Sequence, residues 1–164
     1  MDATVQSWID TIAGFPDWLA ARVQDVPAAH YTWKPEGTEF SMVEHVCHLR
    51  DIERMEYYPH IARILEEDRP LFGDFYRSKL AVERKYQKQE LARALETHRT
   101  FRGINVATAR GLTDAQLAKR GTFGGVEGFP ISQAIEWMTQ HDANHRAQIE
   151  TLIAAGRGAG VFPG

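Results

Sequence analysis

Four histidines stand in two pairs whose spacing can do chemistry. His141 and His145 lie one helical turn apart in the stretch ISQAIEWMTQHDANHRAQIETL, residues 131–152. At about 100° per residue, Ile131, Ala134, Ile135, Met138, Ile149, Leu152 and Ile153 share one stripe of a helix, and both histidines fall inside it. Gln133, Glu136, Gln140, Arg146 and Glu150 take the remaining surface, as an amphipathic helix requires. A buried imidazole needs partners for both ring nitrogens. Two imidazoles stacked on an inner face can find them in core hydrogen bonds, or can share a metal ion with a further ligand from elsewhere.

The second pair, His45 and His48, follows Ser41 and Glu44, an S-x-x-E capping box that predicts a helix start. Met42, Val46, Leu49, Ile52 and Met55 form its apolar stripe, and the helix is expected to run to Glu66 with a bend at Pro59. The mean direction of those five side chains lies closer to His45 than to His48, so periodicity selects His45 as the inward group and leaves His48 at the edge. Cys47 points well round the helix, poor geometry for a Cys–His pair. Asp142 lies near the apolar stripe of the last helix. It is a weak catalytic candidate, as a base or as a group orienting a ligand, set against an ordinary exposed pair with Arg146 at i,i+4. HDANH differs from the H-E-x-x-H of zinc peptidases by a shorter carboxylate.

Further elements must position these groups. A first helix capped by Asp2 or Thr4 carries Val5, Trp8, Ile9, Ile12, Phe15, Leu19 and Val23, is kinked near Pro16, and is stopped by Pro27. Tyr31, Trp33, Pro35 and Gly37 make a loop that either closes the end of the core or walls a pocket. After a charged turn from Glu67 to Gly73, a third long helical segment is expected from Ser78 to Arg110, its Lys, Arg and Glu mixed as on a solvated face. Gly111 ends that segment, and Thr113 and Asp114 open a short helix to Leu117. KRGTFGGVEGFP, with four glycines between Gly121 and Gly128, lacks the order of a phosphate-binding loop and reads as a hairpin or mobile loop. The tail from Gly156 reads as frayed. Strand signals are almost absent, so the expected fold is all-α: a four-helix bundle with a short extra helix and a Gly-rich loop before the last helix. One domain is expected over 1–157, with a flexible tail over 158–164.

Composition narrows the function. A net charge of −3 without a basic block argues against a nucleic-acid partner. No apolar run approaches the roughly 20 residues that span a bilayer, and the N-terminus has no leader pattern. The single cysteine rules out an internal disulfide framework and fits a reducing compartment. A soluble cytoplasmic protein is the expectation.

Taken together, these pieces resemble the DinB-like superfamily of four-helix-bundle metalloproteins, the YfiT-like proteins. The matching pieces are Trp33-Lys34-Pro35, FSMVEHVCHLRDIER, GLTDAQL, and H-x-x-x-H-x-x-Q at His141, His145 and Gln148. Their order and spacing cover nearly the whole chain, from Trp8 to about Arg157. In that family one histidine of the second helix and two of the last hold the metal. By that resemblance the ligands are His48, His141 and His145, with His48 chosen over His45 because Leu49 follows it.

Three neutral imidazoles leave a divalent ion with open positions, and Zn, Ni and Fe all suit imidazole. Such an ion can lower the pKa of bound water towards about 7, or activate a thiolate. Relatives in the family include thiol-dependent isomerases and transferases. The resemblance therefore implies a metal-dependent transferase or isomerase acting on a small-molecule substrate with a low-molecular-weight thiol as cosubstrate. A metal-dependent hydrolase is the alternative, as is a non-catalytic stress-response module acting as a dimer. Trp33 and Gln148 are pocket candidates, Arg50, Arg54 and Arg120 are candidates for a thiol's polar tail, and a homodimer is expected from similar proteins.

Overall fold

The computed structural model describes residues 1–37, 40–72, 77–123 and 126–163. Helix α1 spans Ala3–Gln24, with the Asp2 carboxylate accepting from the Thr4 amide at 2.6 Å. It passes through Gly14 and Pro16 as one helix, because Ile9, Ile12, Phe15 and Leu19 are all fully buried and tertiary packing outweighs the lost hydrogen bond. Ser41 and Glu44 form the expected capping box, and α2 spans Met42–Ile52. The helical path continues through a π-helical turn, Glu53–Tyr57, into α3, Tyr58–Glu66. The wide turn lies just before Pro59, where a missing amide has to be accommodated.

The third segment differs from expectation. Instead of one helix there are α4, Arg77–Glu83, a 3-10 turn at Tyr86–Lys88, and α5, Leu91–Gly111. The break falls at Lys85, whose φ of +52° is left-handed. Tyr86 explains it: the ring is fully buried and its hydroxyl donates to Asp51 Oδ2 at 2.8 Å, a tertiary anchor that helix propensity cannot resist. A short helix α6, Asp114–Leu117, starts in a Thr113/Gln116 capping box. Of the two readings of the Gly-rich stretch the hairpin is found, β1 (Arg120–Phe123) against β2 (Val126–Pro130). Helix α7, Ile131–Gly158, completes the fold and is longer than its apolar pattern.

Helices α1, α2, α5 and α7 make the bundle, with α5 packed on both α1 and α2, and α7 on α1. Two apolar clusters fill it. One joins Ile9, Ile12, Ile52, Ile64, Ile135 and Met138 towards the hairpin, and the other joins Phe15, Leu19, Val46, Leu49, Ile149 and Leu152. Between Met138 and Ile149 of α7, and between Ala94 and Val106 of α5, the inward residues are polar: His141, Asp142 and His145, and His98, Arg102 and Asn105. The last-helix histidine pair sits in that belt.

The C-terminal tail, expected to be frayed, folds back. Both Val161 and Phe162 donate backbone bonds to the Gly156 carbonyl, and the Phe162 ring packs edge-on to Trp33 at 5.2 Å. A Cβ on Gly156 would stand 2.2 Å from that ring, so only glycine permits this closure.

Candidate metal centre

All four histidines of the two pairs meet. His48 Nε2 and His145 Nε2 each lie 3.2 Å from His141 Nε2. One ring nitrogen from each of the three lies within 4.8 Å of the others. His45 faces inward as periodicity requires, but its Nδ1 meets His145 Nδ1 at 3.0 Å rather than joining the convergence point. The two helix-2 histidines thus divide the work: His48 converges, and His45 backs a converging ring. Phe40 covers the cluster, its ring 5.4 Å from His45 and 5.2 Å from His48.

The donor set fits a cation. Three neutral imidazoles at these distances must crowd two donors onto one lone pair or leave a contact unmade, whereas one ion uses all three lone pairs. Tetrahedral coordination at metal–nitrogen distances of about 2.0–2.1 Å separates nitrogens by about 3.3 Å, close to the two observed contacts. Burial keeps the rings neutral, pushing His45 down to about 3 and His145 down to about 4. With no fourth protein ligand among the described residues, three histidines could hold a divalent ion with positions left for water or substrate.

Next to the cluster lies a cavity of about 320 Å³ lined by Gly37, Phe40, His45, Ala147, Gln148, Thr151 and Leu152. Gln148 is among its lining residues. Trp33 is not among its lining residues; the indole packs against Phe162 at the bundle end instead. Arg50 and Arg54 line a separate cavity, and Arg120 bonds the Gly128 carbonyl at 2.5 Å beside the hairpin, so none of the three arginines reaches this pocket.

Asp142 corrects a sequence expectation. It is neither an exposed partner of Arg146 nor directed at the histidines. Its two oxygens accept from Arg102 at 2.5 and 2.9 Å, and it is 1% exposed. Arg146 instead lies over the Trp18 and Phe15 rings. Arg102, itself buried, also binds Glu53 and the Ile12 carbonyl, and Asn105 donates to the second Glu53 oxygen at 2.6 Å. Two carboxylates share one guanidinium here. Burial pushes the Asp142 carboxyl up to about 6, against the opposing pull of Arg102. This network clamps α7 to α5, α1 and the π-helical turn that follows α2, one residue from His141. Sequence reasoning missed Arg102 and Glu53, which look like solvated charges unless their spacing from Ala94 and Val106, or from Ile52, is weighed.

Cys47 is buried, its thiol pushed up to about 11 by burial and its sulfur 3.7 Å from Gln89 Oε1. It takes no part in the cluster.

A four-helix bundle whose facing helices bring inward histidines to one point is the architecture of small bundle metalloproteins. The sequence profile of the DinB superfamily matches residues 15–149, and the chain belongs to that superfamily. Among solved structures it is similar to YfiT from Bacillus subtilis, described as a probable metal-dependent hydrolase with an unusual four-helix bundle topology. The TM-score is 0.84 at 18% identity, covering 98% of this chain and 90% of that one. No curated protein gave a significant match.

Proposed function

We propose that this protein is a metal-dependent enzyme in which His48, His141 and His145 hold one divalent ion, Zn, Ni or Fe, and that its reaction is hydrolysis of a small-molecule substrate. The observation that carries the reading is the approach of His48 Nε2 and His145 Nε2 to His141 Nε2, with a 320 Å³ cavity lined by Phe40 and His45 beside them. A bound ion supplies Lewis acidity and lowers the pKa of water. The residues of this chain do the rest. His145 presents Nε2 only if its Nδ1 carries the proton, and His45 Nδ1 accepts that proton. Gln148 offers an amide to a substrate polar group, while Phe40 and Leu152 exclude water from an apolar part. The name of YfiT supports hydrolysis over the alternatives by analogy of fold.

Thiol transfer is the second reading, since a thiolate would suit the same open positions. Among the described residues the cavity lining offers a thiol's charged tail no arginine or lysine, which favours hydrolysis. A cytoplasmic homodimer belongs to the proposal through the family resemblance, and light scattering of the purified protein checks the dimer. The reaction is tested by loading the protein with Zn²⁺, Ni²⁺ or Fe²⁺ and screening ester, amide and phosphoester substrates alongside small thiols paired with electrophiles. Turnover of one substrate class that disappears in His141→Ala supports the enzyme reading. Hydrolysis without added thiol selects the first reading; strict thiol dependence overturns it in favour of the second.

A further inference from the structure

The other large cavity on α2 faces away from the histidines. It has a volume of about 490 Å³ and is lined by Arg50, Asp51, Arg54, Arg84, Gln89, Glu90, Arg93, Ala94 and Thr97. Four guanidinium groups and two carboxylates meet there, a local excess of positive charge on a chain whose net charge is −3. Such a concave concentration of one sign draws counter-ions.

The arginines are not equivalent. Asp51 is fully buried beneath the cavity and acts as an anchor. It accepts from Arg50 Nε at 2.8 Å, from Arg84 Nη1 at 3.4 Å and from the Tyr86 hydroxyl at 2.8 Å. Gln89 Oε1 takes Arg50 Nη1 at 2.7 Å. Arg50 is thereby fixed on one side. Arg54, on the π-helical turn, and Arg93, on α5, are exposed and have no carboxylate partner among the described residues. The left-handed break at Lys85 and the buried Tyr86 bring Arg84 back over α2, so the fold assembles the cluster from three separated segments. Arginine forks arriving from several directions suit a multi-oxygen anion, because each presents paired donors to a different edge.

We infer that this arginine cavity binds a small molecule carrying a phosphate group, at a site distinct from the histidine cluster. A planar carboxylate is satisfied by a single fork, whereas a phosphate has oxygens for Arg50, Arg54 and Arg93 together. The cavity is larger than a bare phosphate, leaving room for the body of the ligand. Its concave form, walled by α2, α5 and the turn at Tyr86, suits a small molecule better than the extended face that a membrane or nucleic acid would need.

Calorimetric titration with inorganic pyrophosphate, with citrate as the polycarboxylate comparison, tests this. Wild type is expected to bind one pyrophosphate per chain, and Arg54→Gln/Arg93→Gln to bind at least about tenfold more weakly with unchanged circular dichroism. His141→Ala is expected to bind as wild type does. Loss of binding in His141→Ala would place the anion on the histidine site and overturn the inference. So would the absence of saturable binding, equal retention by the double variant, a preference for citrate, or much tighter binding of anionic vesicles or DNA than of pyrophosphate.

Discussion

His45 Nδ1 lies 3.0 Å from His145 Nδ1, so a histidine outside the converging trio shares one hydrogen bond with a histidine inside it. With Nδ1 protonated and donating to His45, His145 Nε2 keeps its lone pair. Groups that orient a metal-binding imidazole in this way are worth about 10- to 100-fold in affinity. His45→Ala should therefore retain metal but bind it about 10- to 100-fold more weakly, measured by competition with a chromophoric chelator. Complete loss of metal would make His45 a ligand itself; unchanged affinity would remove its orienting role.

Arg102 is expected to matter for stability more than any other single polar residue. It is 1% exposed and holds Glu53, Asp142 and the Ile12 carbonyl. Replacing it by methionine leaves two buried carboxylates without a cation, a loss of about 3–5 kcal/mol by denaturant unfolding. Arg102→Met combined with Glu53→Gln and Asp142→Asn should recover much of that loss. A change under about 1 kcal/mol in the single variant would contradict the buried network.

The four helices, the capping boxes at Ser41 and Thr113, and the last-helix histidines were legible because each is a local signal: a 3.6-residue period, a cap, a one-turn spacing. The choice between His45 and His48 was not. Both lie inside the fold, and only the position of α7 decides which ring nitrogen reaches His141. The break at Lys85 was hidden for the same reason, being set by the contact of Tyr86 with Asp51 across 35 residues. Arg102 went unremarked, and Asp142 stayed open between a ligand-orienting group and an exposed pair with Arg146, because a buried ion pair depends on a partner that no local pattern reveals. The folded tail depends on Phe162 meeting Gly156 and Trp33, again a tertiary event.

Stability should fall as the pH drops below neutrality. His45 and His145 titrate at 6.5 when unfolded but only near about 3 and about 4 when folded, and burial keeps His98 neutral well below the usual range. Between 6.5 and about 4 the unfolded chain binds more protons than the folded one, so acid favours unfolding across that window. Asp142 works in the opposite direction: its carboxyl at about 6 in the fold, against 3.8 unfolded, makes the folded chain the better proton binder there. Three histidines outweigh one carboxyl, and the urea midpoint of metal-free protein should decline from pH 7 to pH 4.5. A flat or rising midpoint would contradict the buried neutral rings.

Metal content of untagged protein, measured by plasma mass spectrometry, tests the central claim most directly. Wild type and His45→Ala, incubated with Zn²⁺, Ni²⁺ or Fe²⁺ in excess and desalted, should each carry near one equivalent, and His48→Ala and His141→Ala should lose it while remaining helical by circular dichroism. Wild type without bound metal, or full retention in His48→Ala and His141→Ala, would contradict the site and leave a bundle whose histidines only pack and hydrogen-bond.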